Sequence, residues 1–225
     1  MSKVIFACRT ISDEVNLAIR ETGVDHPVIW IEARLHERPD NLRVKLQEEI
    51  NKISNVQYIM LAFGHCGNAV VGLKSESSSV VIPRVDDCIA LLLGSQAKRC
   101  FLSQEMGTYY LTRGWLEYEN SIVSEYERSA RRYGQERAVA VVRAMLENYM
   151  RLVVIDTGAY HVEACLEKVQ KLANILNINY QILPGSGELL KRLFAGQWNH
   201  DFCVIPPGSS ISLELLMAKK TYQVQ

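Results

Sequence analysis

An excess of either charge sign is missing from this chain: 25 Lys and Arg balance 25 Asp and Glu, and the formal net charge is zero. A neutral chain carries no global electrostatic footprint for nucleic acid or for an anionic membrane surface, so neither is expected as a partner. Long apolar runs are also missing; none approaches the ~20 residues of a membrane helix. The opening Met1-Ser2-Lys3 runs directly into an apolar strand pattern, leaving no room for a signal peptide, and this predicts a cytoplasmic protein. No CxxC pair occurs among the six cysteines, which excludes zinc ribbons and thioredoxin-like redox motifs. The spacings of a P-loop, a dinucleotide fingerprint and a GxSxG nucleophile elbow are absent as well. Any metal site must therefore be assembled from distant segments, and in a reducing compartment the cysteines are expected as thiols.

What is present is an alternation of short apolar runs and helical periodicity. Apolar residues make up 48% and charged residues 22% of 225 residues, the composition of a globular protein large enough for one domain or two lobes. Val4–Cys8, Val28–Ile31, Tyr58–Phe63 and Ser79–Pro83 read as strands. Ser12 or Asp13 caps a helix that runs to about Thr22 and stops at Gly23, and Pro39 opens another in its favoured first-turn position. Ile89 to Leu93 reads as a helical run with Gly94 as its C-terminal cap. Cys100-Phe101-Leu102 is expected as a strand, 106–115 as a loop with aromatic contacts, and 116–149 as two charged helices broken near Gly134. The last third repeats the alternation: strands at 151–155, 180–183 and 202–205, a periodic helix from His161 to Leu176, and a helix from Leu189 to Phe194. This pattern predicts an α/β fold with parallel sheets flanked by helices, as one compact domain or as two Rossmann-like lobes around a central helical segment. The corresponding division is 1–115, 116–150 and 151–225.

In open α/β sheets ligands bind beyond the carboxyl ends of the strands. Cys8, Cys66 and Cys88 each fall at or just after such an end. Three thiolates gathered there would suit an iron–sulfur cluster or zinc and leave one coordination position open. Gly64-His65-Cys66-Gly67-Asn68 is the densest local signal, with two glycines permitting a tight turn around a thiol, an imidazole and an amide. In Asp86-Asp87-Cys88, one Asp is expected to cap the following helix and the other to orient a ligand or act as a base; Asp87 is the candidate. Glu32, Arg34 and His36 would share one side if the second strand continued, which makes His36, with His65, a candidate for proton transfer. Arg84 offers a cation for an anionic substrate, Asn68 a polar contact, Tyr109 an aromatic wall, and Gly185-Ser186 a glycine-rich approach to a helix. Cys100, Cys165 and Cys203 read as core residues.

Several segments together resemble the family known as domain of unknown function 1638: Leu35-His36-Glu37-Arg38-Pro39, Gly64 to Leu73, Ile82 to Ser95, Tyr109 to Trp115, Asp156-Thr157-Gly158 and Pro206-Pro207-Gly208. The resemblance spans nearly the whole chain, and Arg9 follows Cys8 where the family pattern has Gly. Members of this family look to be common in anaerobes and are often encoded near corrinoid-dependent methyl-transfer proteins. The resemblance thus implies one-carbon or thiol chemistry, with a corrinoid protein as a partner.

The residues and the resemblance lead to three expectations. The first is a metal-dependent protein, ligated by Cys8, Cys66 and Cys88, that acts on a small anionic molecule in methyl-transfer metabolism. The second is a non-catalytic accessory or binding protein for a corrinoid methyl-transfer system. The third is a metal-free enzyme with Cys66 as nucleophile. Each is compatible with a homo-oligomer.

Overall fold

The computed structural model describes residues 2–105, 107–117 and 121–217. The first elements are β1 (Lys3–Cys8), α1 (Ser12–Thr22), β2 (Val28–Ile31), α2 (Pro39–Asn51), β3 (Tyr58–Ala62), β4 (Ser79–Pro83) and α3 (Cys88–Leu93). Then follow α4 (Gln96–Glu105), β5 (Thr108–Leu111), α5 (Arg113–Glu117), α6 (Ile122–Tyr133), α7 (Gln135–Met145), β6 (Arg151–Asp156), α8 (Glu163–Leu176) and β7 (Asn179–Pro184). The chain finishes with α9 (Glu188–Ala195), β8 (Phe202–Ile205) and α10 (Leu213–Met217). Among the described residues, no helix is long and apolar enough to cross a membrane.

The fold is α/β, with mostly parallel sheets flanked by helices. It divides into two compact units, Met1–Leu91 with Gly187–Gln225, and Leu92–Ser186. These boundaries differ from cuts at 115 and 150. The reason is pairing: β5 joins β6 and β7 in one sheet, while β8 returns to β4 in the other.

The first unit holds a five-stranded sheet in the order β2-β1-β3-β4-β8. β1 pairs in parallel with β2 and β3, and β3 with β4. After β2 the chain crosses back over β1 to form β3, so the strand order reverses between β1 and β3. That reversal is the topological switch point, where helices leave on opposite sides and a crevice opens beyond the carboxyl ends. The central strands are apolar throughout because both sheet faces are covered; Ile5, Phe6, Ala7, Met60, Leu61 and Ala62 are fully buried. α1 ends as expected at Gly23, which takes the left-handed conformation at φ 65°. α2 begins at Pro39 and buries Leu42, Leu46 and Ile50, spaced by four, each contributing roughly 1.5–3 kcal/mol of apolar burial.

β8 departs from the all-parallel expectation. It runs antiparallel to β4, with Val80 opposite Ile205 and Pro83 opposite Phe202. Its carboxyl end, with Pro206-Pro207-Gly208, therefore lies beside the amino end of β4; Gly208 N–H donates to Ser75 O at 2.8 Å. That loop is thus removed from the rim formed by the carboxyl ends of the parallel strands.

The second unit is a parallel three-stranded sheet, β5-β6-β7. Leu152 and Val154 of β6 pack with Val123 of α6, Val142 of α7 and Val169 and Leu172 of α8. Two local expectations fail here. Residues 108–111 form β5, because Thr-Tyr-Tyr-Leu suits a pleated strand and finds β6 as a partner. Cys100-Phe101-Leu102 lies inside α4, whose start is favoured by the Ser95 hydroxyl accepting Lys98 N–H at 3.3 Å. Cys100 is consequently exposed, while Cys165 and Cys203 are buried as expected.

Candidate functional site

Cys8 ends β1 at the switch point and is buried. The chain then tightens into a 3₁₀ turn, Arg9–Ile11, that leads into α1. This turn brings buried Thr10 back onto the sulfur: Thr10 Oγ1 lies 3.0 Å from Cys8 Sγ, and the Thr10 N–H also donates to it. Burial pushes the Cys8 thiol above its ordinary value, and the two Thr10 bonds oppose that rise.

His36 reaches the same sulfur from the β2 side. Glu32, Arg34 and His36 do not share one side of a strand, because β2 stops at Ile31 and Ala33–Glu37 forms a 3₁₀ turn. The turn places His36 Nδ1 3.7 Å from Cys8 Sγ and 3.2 Å from Ala33 O. The ring stacks on Phe63, with centroids 6.0 Å apart and planes 14° apart. Burial lowers the His36 pKa, so the imidazole is neutral at pH 7. A neutral ring donating Nδ1–H to Ala33 leaves Nε2 with its lone pair available.

Cys66 belongs to the Gly64–Asn68 turn that follows β3. This turn interlocks with the segment after β4: His65 N–H donates to Val85 O and Cys66 N–H to Asp86 O, both at 2.9 Å. Gly64 is obligatory, since a Cβ there would lie 2.6 Å from the Asp87 backbone. Three successive residues then adopt left-handed backbone: Cys66 (φ 46°), Gly67 (φ 66°) and Asn68 (φ 67°). Asn tolerates this conformation and Gly favours it, but Cys does so at a cost of about 1–3 kcal/mol. The Cys66 thiol is pushed up to about 12, first by burial and then by its proximity to Cys8; the Gly64 N–H bond opposes the rise and the Asp87 charge adds to it. Cys8 and Cys66 therefore sit within electrostatic reach of each other, beyond adjacent strands and on the two sides of the switch point.

Two other candidate side chains of this unit, Asp87 and Arg84, are committed to structural contacts. Asp87 is the helix cap: its Oδ1 accepts Ala90 N–H at 2.7 Å in the first turn of α3. Arg84 points at carbonyl oxygens, donating from Nε to Phe202 O at 3.2 Å and from Nη1 to Leu216 O at 3.3 Å and to Leu215 O. The guanidinium thus ties β8 to the carboxyl end of α10. His65 is 8% exposed, with Nδ1 3.8 Å from Asp86 Oδ1 and a pKa lowered by burial. Its Nε2 is buried and has no hydrogen-bond partner among the described residues. Cys88 opens α3 and is buried. Among the described residues, no group of three or more His, Cys, Asp or Glu is arranged to hold a metal ion. Among the described residues the three cysteines are thus not gathered as a ready-made ligand set; Cys8 and Cys66 lie within electrostatic reach of each other.

Tyr109, Gly185 and Ser186 belong to the second unit. Tyr109 meets Tyr149 edge to face at 5.2 Å, and burial raises its pKa. Gly185 N–H donates to Asp156 O and Ser186 N–H to Leu92 O, both at 2.7 Å. A Cβ on Gly185 would come within 2.8 Å of Ile155 Cγ2 and Thr157 Cγ2, so the glycine serves close packing. The Gly185 and Ser186 amides are therefore both engaged and not open to an anion.

Two site residues carry no strong signal in the sequence. Thr10 follows Cys8 by two, a spacing legible only as a weak capping pattern. Phe63 reads as the end of a core strand, and nothing in the chain announces that His36 lies on it.

The family model described as "Protein of unknown function (DUF1638)" matches residues 30–194 of this chain. No curated protein and no solved structure matches it.

Proposed function

This chain belongs to the DUF1638 family, a membership that assigns no chemistry, and we propose from the switch-point geometry that it is a thiolate metalloprotein acting on a small anionic substrate. Cys8 and Cys66 are the primary ligands, Cys88 joins them when the ion or cluster is loaded, and the group held is zinc or an iron–sulfur cluster. The observation that carries this reading is the pair of desolvated thiols at the crevice between β1 and β3, each sulfur accepting a backbone N–H. Such bonds favour the sulfur as an anion, whereas burial keeps it a neutral thiol until a cation arrives. A soft metal ion reverses that balance and displaces the protons. In donor chemistry the site fits; in number it holds two sulfurs, and the third ligand is the part that loading must bring in.

When bound, the metal would supply Lewis acidity at an open coordination position. The protein's own groups have separate tasks. Thr10 fixes the Cys8 sulfur, and Gly64 fixes Cys66 by its N–H. Neutral His36 has its protonated Nδ1 beside Cys8 Sγ and its lone pair on Nε2, the ring atom that can take up a proton released when the thiols are metallated. Asp87 acts through position, by capping α3 and so setting where Cys88 begins.

Cys66 as a free nucleophile is less favoured. A thiol pushed up to about 12 carries a thiolate fraction of roughly one part in 10⁵ at pH 7.

The test is metal and acid-labile sulfide analysis after anaerobic purification of the full chain. Near-stoichiometric metal is expected in the wild type. Loss is expected in Cys8→Ser and Cys66→Ser, and a marked reduction in Cys88→Ser. A metal-free wild type, or metal undiminished in all three variants, contradicts the reading.

A further inference from the structure

The second unit carries a cavity that the thiol chemistry does not use. It opens between α6 and α8 and has a volume of about 180 Å³. One face of each helix builds it. Val123, Tyr126 and Glu127 recur at the spacing of one helical turn and line it from α6. Leu172 and Ile175 line it from α8. The floor is apolar: Val123 and Leu172 belong to the buried core of this unit, and half-buried Tyr126 packs against that core. A molecule seated here therefore covers core side chains directly.

The rim carries charge of both signs. Glu127 of α6 and Glu167, Lys168 and Lys171 of α8 line the same opening, and all four are exposed. Glu167 precedes Lys171 by four, the order and spacing that favour an ion pair on a helix. Elsewhere in the chain, charges four apart on a helix do meet: Lys45 Nζ lies 2.7 Å from Glu49 Oε1, and Arg113 Nε lies 3.6 Å from Glu117 Oε1. Around the cavity they do not. Among the described residues, none of the four rim side chains makes an ion pair or a hydrogen bond. Two ammonium groups and two carboxylates thus surround an apolar floor without neutralising one another.

We propose that this cavity binds a free amino acid with an apolar side chain. A simple anion would meet the two ammonium groups but also two carboxylates, and a simple cation would meet the reverse. A neutral apolar molecule would cover the floor while drawing the rim charges partly out of water without pairing them. A zwitterion with an apolar body matches every part of the lining. Its carboxylate pairs with Lys168 and Lys171, and its ammonium group with Glu127 and Glu167. Its side chain replaces water over Val123, Leu172 and Ile175, with the Tyr126 ring as a wall. The volume sets the size: at roughly 30 Å³ per water the cavity holds about six waters, room for one amino acid and too little for a drug-sized ligand. The site goes beyond the proposed thiol chemistry, since it is built from the second unit alone and needs no metal.

The experiment is a titration of the full-length protein with L-leucine, read by calorimetry and by assigned amide ¹H–¹⁵N spectra. Three analogues run in parallel: 4-methylpentanoate lacks the ammonium group, 3-methylbutylamine lacks the carboxylate, and glycine lacks the side chain. Saturable leucine binding at one site per chain is expected, with the shifts concentrated in α6 and α8. Each analogue should bind weaker by about fivefold or more. The double variant Lys168→Gln with Lys171→Gln, which changes exposed side chains only, should keep its thermal stability and weaken leucine binding by the same factor. Absence of saturable leucine binding, shifts that lie away from α6 and α8, or leucine binding undiminished in the double variant overturns the proposal. An analogue that binds within about fivefold of leucine overturns the amino-acid assignment. The probes and the variant leave Cys8 and Cys66 untouched, so failure here leaves the metal analysis standing, and failure of that analysis leaves this site standing.

Discussion

The two units use the same grammar, a strand, a glycine-containing turn and a helix, and put it to different ends. In the second unit the turn after β7 is closed: the Gly185 and Ser186 amides bond to Asp156 O and Leu92 O, and the glycine packs against neighbouring methyl groups. In the first unit the turn after β3 stays open. Its glycine at 64 locks two loops together, yet the turn holds a desolvated thiol and, among the described residues, a buried imidazole nitrogen with no hydrogen-bond partner. A glycine-rich strand end is therefore no site by itself. What separates these two turns is whether their polar groups are already satisfied.

The largest effect that tests this comparison comes from adding one methyl group to each turn. Gly64→Ala places a Cβ 2.6 Å from the Asp87 backbone, which cannot retreat without moving the cap of α3. A loss of about 3 kcal/mol in denaturant unfolding is expected, together with loss of bound metal. Gly185→Ala meets mostly side-chain methyls and should cost about 1–2 kcal/mol with metal content unchanged. Metal loss in Gly185→Ala, or its retention in Gly64→Ala, breaks the distinction drawn between the turns.

A smaller effect is expected in thiol reactivity. Both Cys8 and Cys66 are held above the ordinary value of 9.0, with Cys66 at about 12. In metal-free protein, alkylation of Cys66 should rise about tenfold per pH unit from pH 7 to near 11, without a plateau. Exposed Cys100 serves as the fast internal reference. The sign for stability follows: folding favours the neutral thiols, so their contribution is complete below pH about 9 and is lost as pH climbs toward 12. In Thr10→Val, which removes one hydrogen bond to Cys8 Sγ, alkylation of Cys8 should slow a few-fold at fixed pH. Mass spectrometry of peptides containing each cysteine reads all three rates. A Cys66 plateau near pH 9 would contradict the desolvated pair.

Much of the first unit was legible because its signals are local. β1, β3 and β4 are uninterrupted apolar runs, Pro39 and Gly23 mark helix ends, and the Gly64–Asn68 turn is visible in the sequence as a cluster of polar residues between glycines. The return of β8 to β4 was not legible, because an antiparallel edge strand of four residues has no sequence mark that distinguishes it from a parallel one. The structural partners of Arg84 and Asp87 were not legible for a related reason. A cation or a carboxylate near a strand end looks available until its partners, Phe202 O and Ala90 N–H, are brought in by the fold. Thr10 and Phe63 were passed over because one acts through a 3₁₀ turn and the other through a ring stacked from 27 positions away, His36 on Phe63.

The account's central claim is that Cys8 and Cys66 act as one metal-binding pair. The most direct measurement is an anaerobic titration of reduced, metal-free protein with cadmium, recording the ultraviolet thiolate-to-metal charge-transfer band together with proton release. The account predicts a band that saturates at one ion per chain, release of at least about two protons per ion near neutral pH, and loss of most of the signal in both Cys8→Ser and Cys66→Ser. A band that survives in either variant, or no band and no proton release in the wild type, would contradict it.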